Sequence, residues 1–371
     1  MTDAVAARSR LPLLGPLGPI PRAGLLITLG LAVVTVLLEL AAVDPTIIFI
    51  VSGIGILGLA WSVGLATERL GALSGPQIGG ILNATFGNIA ELIIAFFALQ
   101  AGLIEVVKAS LTGSIIGNLL LVLGAAILVG GIRNGTQTFS SRIAGSNAAL
   151  LFLAAIGLFI PAVFAATSAD ASTGTKIEES VLVAVLLIAG YVLAMVFQFT
   201  NPAMTLGGHD PTEQHGGPAW SRTEAIVALL VSAALLAVMS EILVGSIEPF
   251  IETFGLSPFF VGVIIIPTIG NLAEHLVAVQ LAWKDRMEFA MAVSYGSSLQ
   301  VALFVAPLLV LLGLVVGQPM DLVFQPLEVA AVLSAVWISA LIALDGESNW
   351  LEGALLVLVY VILAVSFFHL I

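Results

Sequence analysis

The chain has 371 residues, 60% of them apolar and 9% charged, and carries a net charge of −12. A mean hydropathy of +1.16 excludes an ordinary soluble globular domain and points to an all-α polytopic membrane protein. Most acidic residues fall in short loops or at span ends, so the charge does not argue for a nucleic-acid partner, and the lack of cysteine excludes disulfides, thiolate metal sites and cysteine nucleophiles.

Apolar runs long enough for a hydrocarbon core of roughly 30 Å recur from end to end. They predict eleven spans, near residues 23–43, 46–67, 75–100, 103–130, 142–166, 179–200, 222–246, 256–282, 287–316, 326–344 and 350–370. Arg8, Arg10 and Arg22 precede the first run, as in a secretory signal. That run is too long for a signal, and Asp44-Pro45 leads straight into the second, so it reads as a retained helix. Helices are required because lipid cannot satisfy unpaired backbone groups, and no segment alternates like a barrel strand. With the N-terminus cytoplasmic, Arg8, Arg10, Arg22, Arg69, Arg133, Arg142, Arg222, Lys284 and Arg286 all fall on that side. Only Lys108 and Lys176 fall on the other, and the C-terminus lies opposite the N-terminus.

The third span holds Gly79–Leu92, G-G-I-L-N-A-T-F-G-N-I-A-E-L, which recurs 183 residues later in the eighth as Gly262–His275, G-V-I-I-I-P-T-I-G-N-L-A-E-H. At that offset Gly79, Ile81, Gly87, Asn88, Ala90 and Glu91 return as Gly262, Ile264, Gly270, Asn271, Ala273 and Glu274. Gly113 and Ser114 likewise return as Gly296 and Ser297. Five spans separate the copies, an odd number, so they run through the membrane in opposite directions. The expected organisation is an extra N-terminal segment and helix (1–45), a first inverted five-helix repeat (46–200), a cytoplasmic linker (201–221) and a second inverted repeat (222–371). Gly and Pro mark the linker, whose His209, Asp210, Glu213 and His215 read as solvated rather than as a cation sensor. Ser168–Ser180 reads as an outer loop.

An ionised side chain near the bilayer centre costs roughly 2.5–3.5 kcal/mol on insertion scales, so Glu91 and Glu274, matched by the repeat, read as functional. Asn88 and Asn271 precede them at i−3, on the same helix face. Gly87 and Gly270 at i−4, with Thr85 and Pro267, are expected to open or bend the helices and shape the site. Two carboxylates, two amides and freed carbonyls make an all-oxygen metal site at Glu91, Glu274, Asn88 and Asn271. Ca2+ fits it best, because it takes six to eight oxygens at roughly 2.3–2.6 Å in irregular geometry, and Mn2+ stays open. The metal would be cargo, with no resident cofactor. Two carboxylates in low dielectric cannot both stay charged without a cation, so on losing the metal they take up protons as a pair. Metal and protons thus compete, which is the basis of antiport.

His275 either assists proton coupling beside Glu274 or is hydrogen-bonded between helices. Ser114, Asn118, Ser297 and Gln300 are secondary polar lining, as are Ser294 and Ser298, although such side chains also serve as interhelical glue. Glu241, inside the seventh span, is a candidate for an ion pathway. Glu39, Glu68, Glu248 and Glu252 read as solvated helix ends.

N-A-T-F-G-N-I-A-E-L (Asn83–Leu92), S-E-I-L-V-G-S-I-E-P (Ser240–Pro249) and G-N-L-A-E-H (Gly270–His275) resemble the cation/proton exchangers (CAX) of the Ca2+/cation antiporter superfamily, over nearly the whole chain. The resemblance implies eleven helices in two inverted repeats and exchange of cytosolic Ca2+ for external protons, by alternating access at Glu91 and Glu274. Two features depart from it: Gly117 stands where members often carry a second Ser before the Asn, and the linker lacks a long acidic helix. Na+/Ca2+ exchange on the same scaffold is the nearest alternative, although those exchangers resemble a different pattern, with Ser/Thr and Asp flanking a Pro-Glu. A cation channel fits less well, and an intramembrane hydrolase less still, since there is no H-E-x-x-H. The implied partners are the lipid bilayer and an inorganic cation; a homo-oligomer stays open.

Overall fold

Capping residues start and stop the helices where the apolar runs begin and end. Asp44 accepts a hydrogen bond from the Thr46 amide and Pro45 takes the first helical position, which separates α1 (Pro19–Leu40) from α2 (Pro45–Ser74). Ser221 with Glu224, and Asn349 with Glu352, form reciprocal capping boxes at two later starts. The computed structural model describes residues 19–168, 170, 172–201 and 220–369. Arg8, Arg10 and the linker residues His209, Asp210, Glu213 and His215 lie outside this set.

After α2 come α3 (Pro76–Phe86) and α4 (Ile89–Gln100), then α5 (Ile104–Ile116), which runs through a π-helical turn at Gly117–Val122 into α6 (Leu123–Asn134). Next are α7 (Ser141–Thr167), α8 (Thr173–Thr200), α9 (Arg222–Gly245) and the short α10 (Ile247–Phe254). A single turn, α11 (Pro258–Phe260), continues through a π-helical turn at Val261–Ile265 into α12 (Ile266–Trp283). Then α13 (Met287–Gln300) passes through a third, at Val301–Val305, into α14 (Ala306–Val316), followed by α15 (Pro326–Ile342) and α16 (Trp350–Phe368). Among the described residues, eight helical segments are long and apolar enough to cross a membrane, and three shorter apolar ones cover Gly24–Leu40, Ile89–Gln100 and Pro326–Ile342. The first and third π-helical turns fall in register under the 183-residue offset.

The expected boundaries shift in places. Ser172 accepts a bond from the Thr175 amide at 3.1 Å and starts α8 at Thr173, so much of the stretch expected as an outer loop is helix. The α2 helix continues through Glu68 and Arg69 to Ser74, and α10 occupies a stretch expected as loop. The fold also holds a minimal antiparallel ladder, β1 (Gln137–Thr138) with β2 (Glu347–Ser348).

The most extensive helix pairing is α2 with α9. At the centre, α5 is buried along nearly its whole length and α13 is enclosed with Tyr295 and Leu299 at its heart. Polar contacts tie the helix ends together. At one end of the α5–α6 rod Asn134 and Gln137 donate to the carbonyl of Ala282 and Arg133 lies 4.1 Å above the Trp283 ring, and in a separate contact Arg222 reaches the Leu73 carbonyl at 3.3 Å. At the other, Lys108 pairs with Asp321 and donates to the Val323 carbonyl at 2.9 Å, while Ser180 caps the Leu322 amide.

Candidate cation site

The break between α3 and α4 falls at Gly87 and Asn88. Gly87 keeps helical angles (φ −55°, ψ −48°), and it is Asn88 that leaves them (φ −105°, ψ 29°). Glu91 therefore sits in the first turn of the new helix, where the unsatisfied amides favour an anion. Its Oε1 accepts from the Ser114 hydroxyl of α5 and from the Asn271 amide of α12. Gly270 makes this fit possible, since a Cβ there would stand 3.1 Å from Glu91 Cγ.

The second copy is built differently. Helix α12 passes through Gly270 and Asn271 unbroken, so the expected opening at Gly270 is corrected: that glycine serves close packing. The irregularity moves upstream to the π-helical turn, next to Pro267, which has no N–H to offer the preceding turn. A Cβ on Gly113 would overlap the Val263 carbonyl, so glycine lets α5 seat directly on that turn.

The Ser297 hydroxyl lies beside the Glu274 carboxyl. Ser297 also donates to Asn88 Oδ1 at 2.8 Å and accepts from Asn118 Nδ2 at 3.0 Å. Asn88 in turn donates to Gln300 Oε1. The result is an unequal pair: Glu91 is held by two donors, whereas the asparagine equivalent to Asn271 is engaged with Gln300 and Ser297. Oε2 of Glu91 and Oε2 of Glu274 are both buried without a hydrogen-bond partner among the described residues. Buried polar atoms are rarely left so, and a buried carboxylate oxygen left so is suited to a cation or a proton.

The helices thus bring together Asn88, Glu91, Ser114, Asn118, Asn271, Glu274, Ser297 and Gln300. Pro267 lines a small cavity against Glu91, together with Ser110, Ser114 and Ile266. His275 Nε2 is buried with no partner among the described residues. Thr85 is exposed and bonds its own helix at the Ile81 carbonyl, at 2.8 Å. Glu241 is exposed on α9 and makes none of these contacts. Among the described residues, no three His, Cys, Asp or Glu side chains cluster, so neutral oxygens must complete any cation shell.

Sequence reasoning passed over two features. Ser110 shares the cavity beside Glu91 and stands one turn before Ser114, a spacing that could have flagged it. Glu328 is buried in the first turn of α15, accepting from the Thr112 hydroxyl at 3.0 Å and the Gln325 amide at 2.8 Å. Its only sequence signal is a Gln-Pro helix start three residues earlier.

The family described as sodium/calcium exchanger protein matches residues 45–200 and 224–369. The chain is 47% identical over 341 residues to a Ca(2+)/H(+) antiporter of Synechocystis sp., covering 87% of this chain and 91% of that protein. It is 44% identical over 341 residues to a Ca(2+)/H(+) antiporter of Aphanothece halophytica, covering 88% and 91%. Among solved structures it is similar to native YfkE, with a TM-score of 0.81 at 37% identity over 94% of this chain and 99% of that one.

Proposed function

This chain belongs to the sodium/calcium exchanger protein family, and from that premise we propose that it exchanges Ca2+ for protons across the membrane at Glu91 and Glu274. The observation that carries the paired-glutamate reading is the two buried, unpartnered carboxylate oxygens, one from each copy. A divalent cation supplies the charge that lets both groups stay ionised. Without it, protons neutralise them. Since either occupant satisfies the pair and neither leaves room for the other, inward and outward steps are coupled.

The remaining groups are neutral: Ser114 and Asn271 hold Glu91, Ser297 stands by Glu274, Gln300 offers its amide oxygen once Asn88 Nδ2 releases it, and Asn88 offers Oδ1 once the Ser297 hydroxyl turns away. Two charges with adaptable oxygens suit Ca2+ and leave the grip weak enough for release; the same donors admit Mn2+. His275, beside Glu274, is in position to assist proton transfer. This is secondary transport, and no catalytic step is assigned to any residue.

The layout we propose has eleven crossings: the extra segment 1–45, inverted repeats 46–200 and 222–371, and a cytoplasmic linker 201–221. The contacts between helix ends support it, because strict alternation puts both members of each contact on one side: 73 with 222, and 134–137 with 282–285, on the side of the N-terminus, and 108 and 180 with 321–323 on the other. The two copies are covered unequally. Ile78 is 51% exposed, whereas its counterpart Val261 is fully buried, and Asn83 is exposed where Ile266 is not.

The test is ΔpH-driven 45Ca2+ uptake into inside-out vesicles, with and without Na+, for the unmodified protein, Glu91→Gln and Glu274→Gln. The expected result is uptake that needs no sodium and is lost in either variant. A sodium requirement, or uptake that survives both changes, rejects the mechanism.

A further inference from the structure

Gln300 is the last residue of α13, half-buried, and its side chain lies across the break between α3 and α4. The directions of the bonds around it are fixed by one backbone group. The Asn83 carbonyl can only accept, so Gln300 turns Nε2 to it, at 3.5 Å, and presents Oε1 to the side-chain nitrogen of Asn88. The oxygen of Asn88 is then left for the Ser297 hydroxyl, at 2.8 Å, and Ser297 accepts from Asn118. Asn88 is therefore gripped at both ends of its side-chain amide by α13, and it is the residue at which the backbone leaves helical angles. Gly87 leaves room for this grip, since a Cβ there would stand 3.0 Å from Gln300 Oε1.

The second copy differs at the matched position. The 183-residue offset carries Ser297 back to Ser114 and Gln300 back to Gly117, so α5 keeps the serine and has no long amide to follow it. There α12 runs unbroken through Gly270 and Asn271. A wound helix is the default within a membrane, because a break frees backbone groups that lipid cannot satisfy, so the broken copy is the one that needs a brace. We propose that Gln300 is a positioning residue that holds the first copy open at Asn88. On the reading of Ca2+/H+ exchange, this links cargo to shape. Gln300 can turn its oxygen to a cation only by releasing Asn88, and that release frees α3 to wind into α4.

The experiment follows backbone hydrogen exchange of the full chain in detergent without Ca2+, over residues 87–92 and 270–275, for the unmodified protein, Gln300→Met and Gln300→Asn. Methionine keeps the length and removes both polar ends, whereas asparagine stays polar but is too short to reach Asn88 and Asn83 together. In both variants exchange over 87–92 is expected to slow by about tenfold, toward that of 270–275, as the break rewinds. Removing a side chain that only packs would do the opposite and speed it. A second measurement uses the absence of cysteine from the chain. Ile78 is 51% exposed on α3 and its counterpart Val261 is fully buried, so Ile78→Cys should react more slowly with a polar maleimide once Gln300→Met is added. Unchanged or faster exchange over 87–92 in either variant overturns the proposal, and so does unchanged labelling at residue 78. Neither readout involves transport, so the proposal can fail while Glu91→Gln and Glu274→Gln still abolish 45Ca2+ uptake, and the two failures are told apart.

Discussion

Asn271 donates its side-chain amide hydrogen to Glu91, a glutamate of the other repeat copy, and not to Glu274 three residues along its own helix. The second copy thus supplies a donor to the glutamate of the first, an arrangement that forms only when the two are packed together. Asn88, the equivalent residue, is occupied by Gln300 and Ser297 and makes no matching bond to Glu274.

Removing the donor should be felt at the metal. Hydrogen bonds to charged groups contribute about 1.5–3 kcal/mol, so Asn271→Ala is expected to raise the KM for Ca2+ by roughly tenfold or more while the protein still folds. Ser114→Ala acts on the same oxygen, and a double-mutant cycle on 45Ca2+ affinity should show coupling. Strict additivity of the two changes would refute the shared-acceptor arrangement.

The matched glycines Gly113 and Gly296 should respond differently. A Cβ on Gly113 meets the Val263 carbonyl, a backbone atom that cannot swing aside, whereas a Cβ on Gly296 meets nothing within 4 Å. Gly113→Ala is expected to cost about 1–3 kcal/mol through overpacking, read as a lower melting temperature in detergent. Gly296→Ala should stay within about 0.5 kcal/mol of the unmodified protein. Equal losses would contradict the packing described.

Lys108 and Asp321 join α5 to the segment before α15, with side chains 15% and 23% exposed. At that exposure solvent screens part of the attraction, so Lys108→Met alone should destabilise by about 1–2 kcal/mol, largely because it leaves Asp321 without its cation. The pair Lys108→Met with Asp321→Asn should recover part of the loss in the same melting assay. A double variant worse than the sum of the singles would rule out a mutual pair.

Competition between protons and metal fixes the sign of the pH response. In the proposed mechanism Ca2+ needs both carboxylates ionised, so lowering pH on the side from which the site is reached should weaken apparent Ca2+ affinity, by at most about tenfold per pH unit for each proton displaced. Adding Ca2+ to solubilised protein in weak buffer should release protons, fewer in Glu274→Gln than in the unmodified protein. Ca2+ binding with no proton release would separate the metal site from the proton site.

How much of this was legible in the sequence follows from how far apart the deciding residues lie. The bilayer acts on each apolar run separately, so span positions could be read locally, and most observed helices start and stop within a few residues of expectation. The two glutamates stood out because an ionisable side chain in an apolar run is costly wherever the helix packs. Glu241 had the same local signal and proved to be exposed and apart from the pair. Glu328 had almost none, because a glutamate near a helix start looks like an ordinary cap until Thr112 is seen against it.

By itself the sequence determined an all-α membrane chain, a duplicated Gly-Asn-x-Ala-Glu element and a pair of carboxylates in apolar runs, since hydropathy, the 183-residue offset and charge are properties of the chain alone. Only the tertiary structure decided that Asn271 serves Glu91, that Asn88 turns to Gln300, and that the first copy breaks at Asn88 while the second stays wound through Asn271. The same residues at the same spacing end in two environments because a hydrogen-bond partner is set by which helix packs alongside. Here the close approach of α5 to the turn beside Pro267, permitted at Gly113, brings neighbours to one copy that the other lacks.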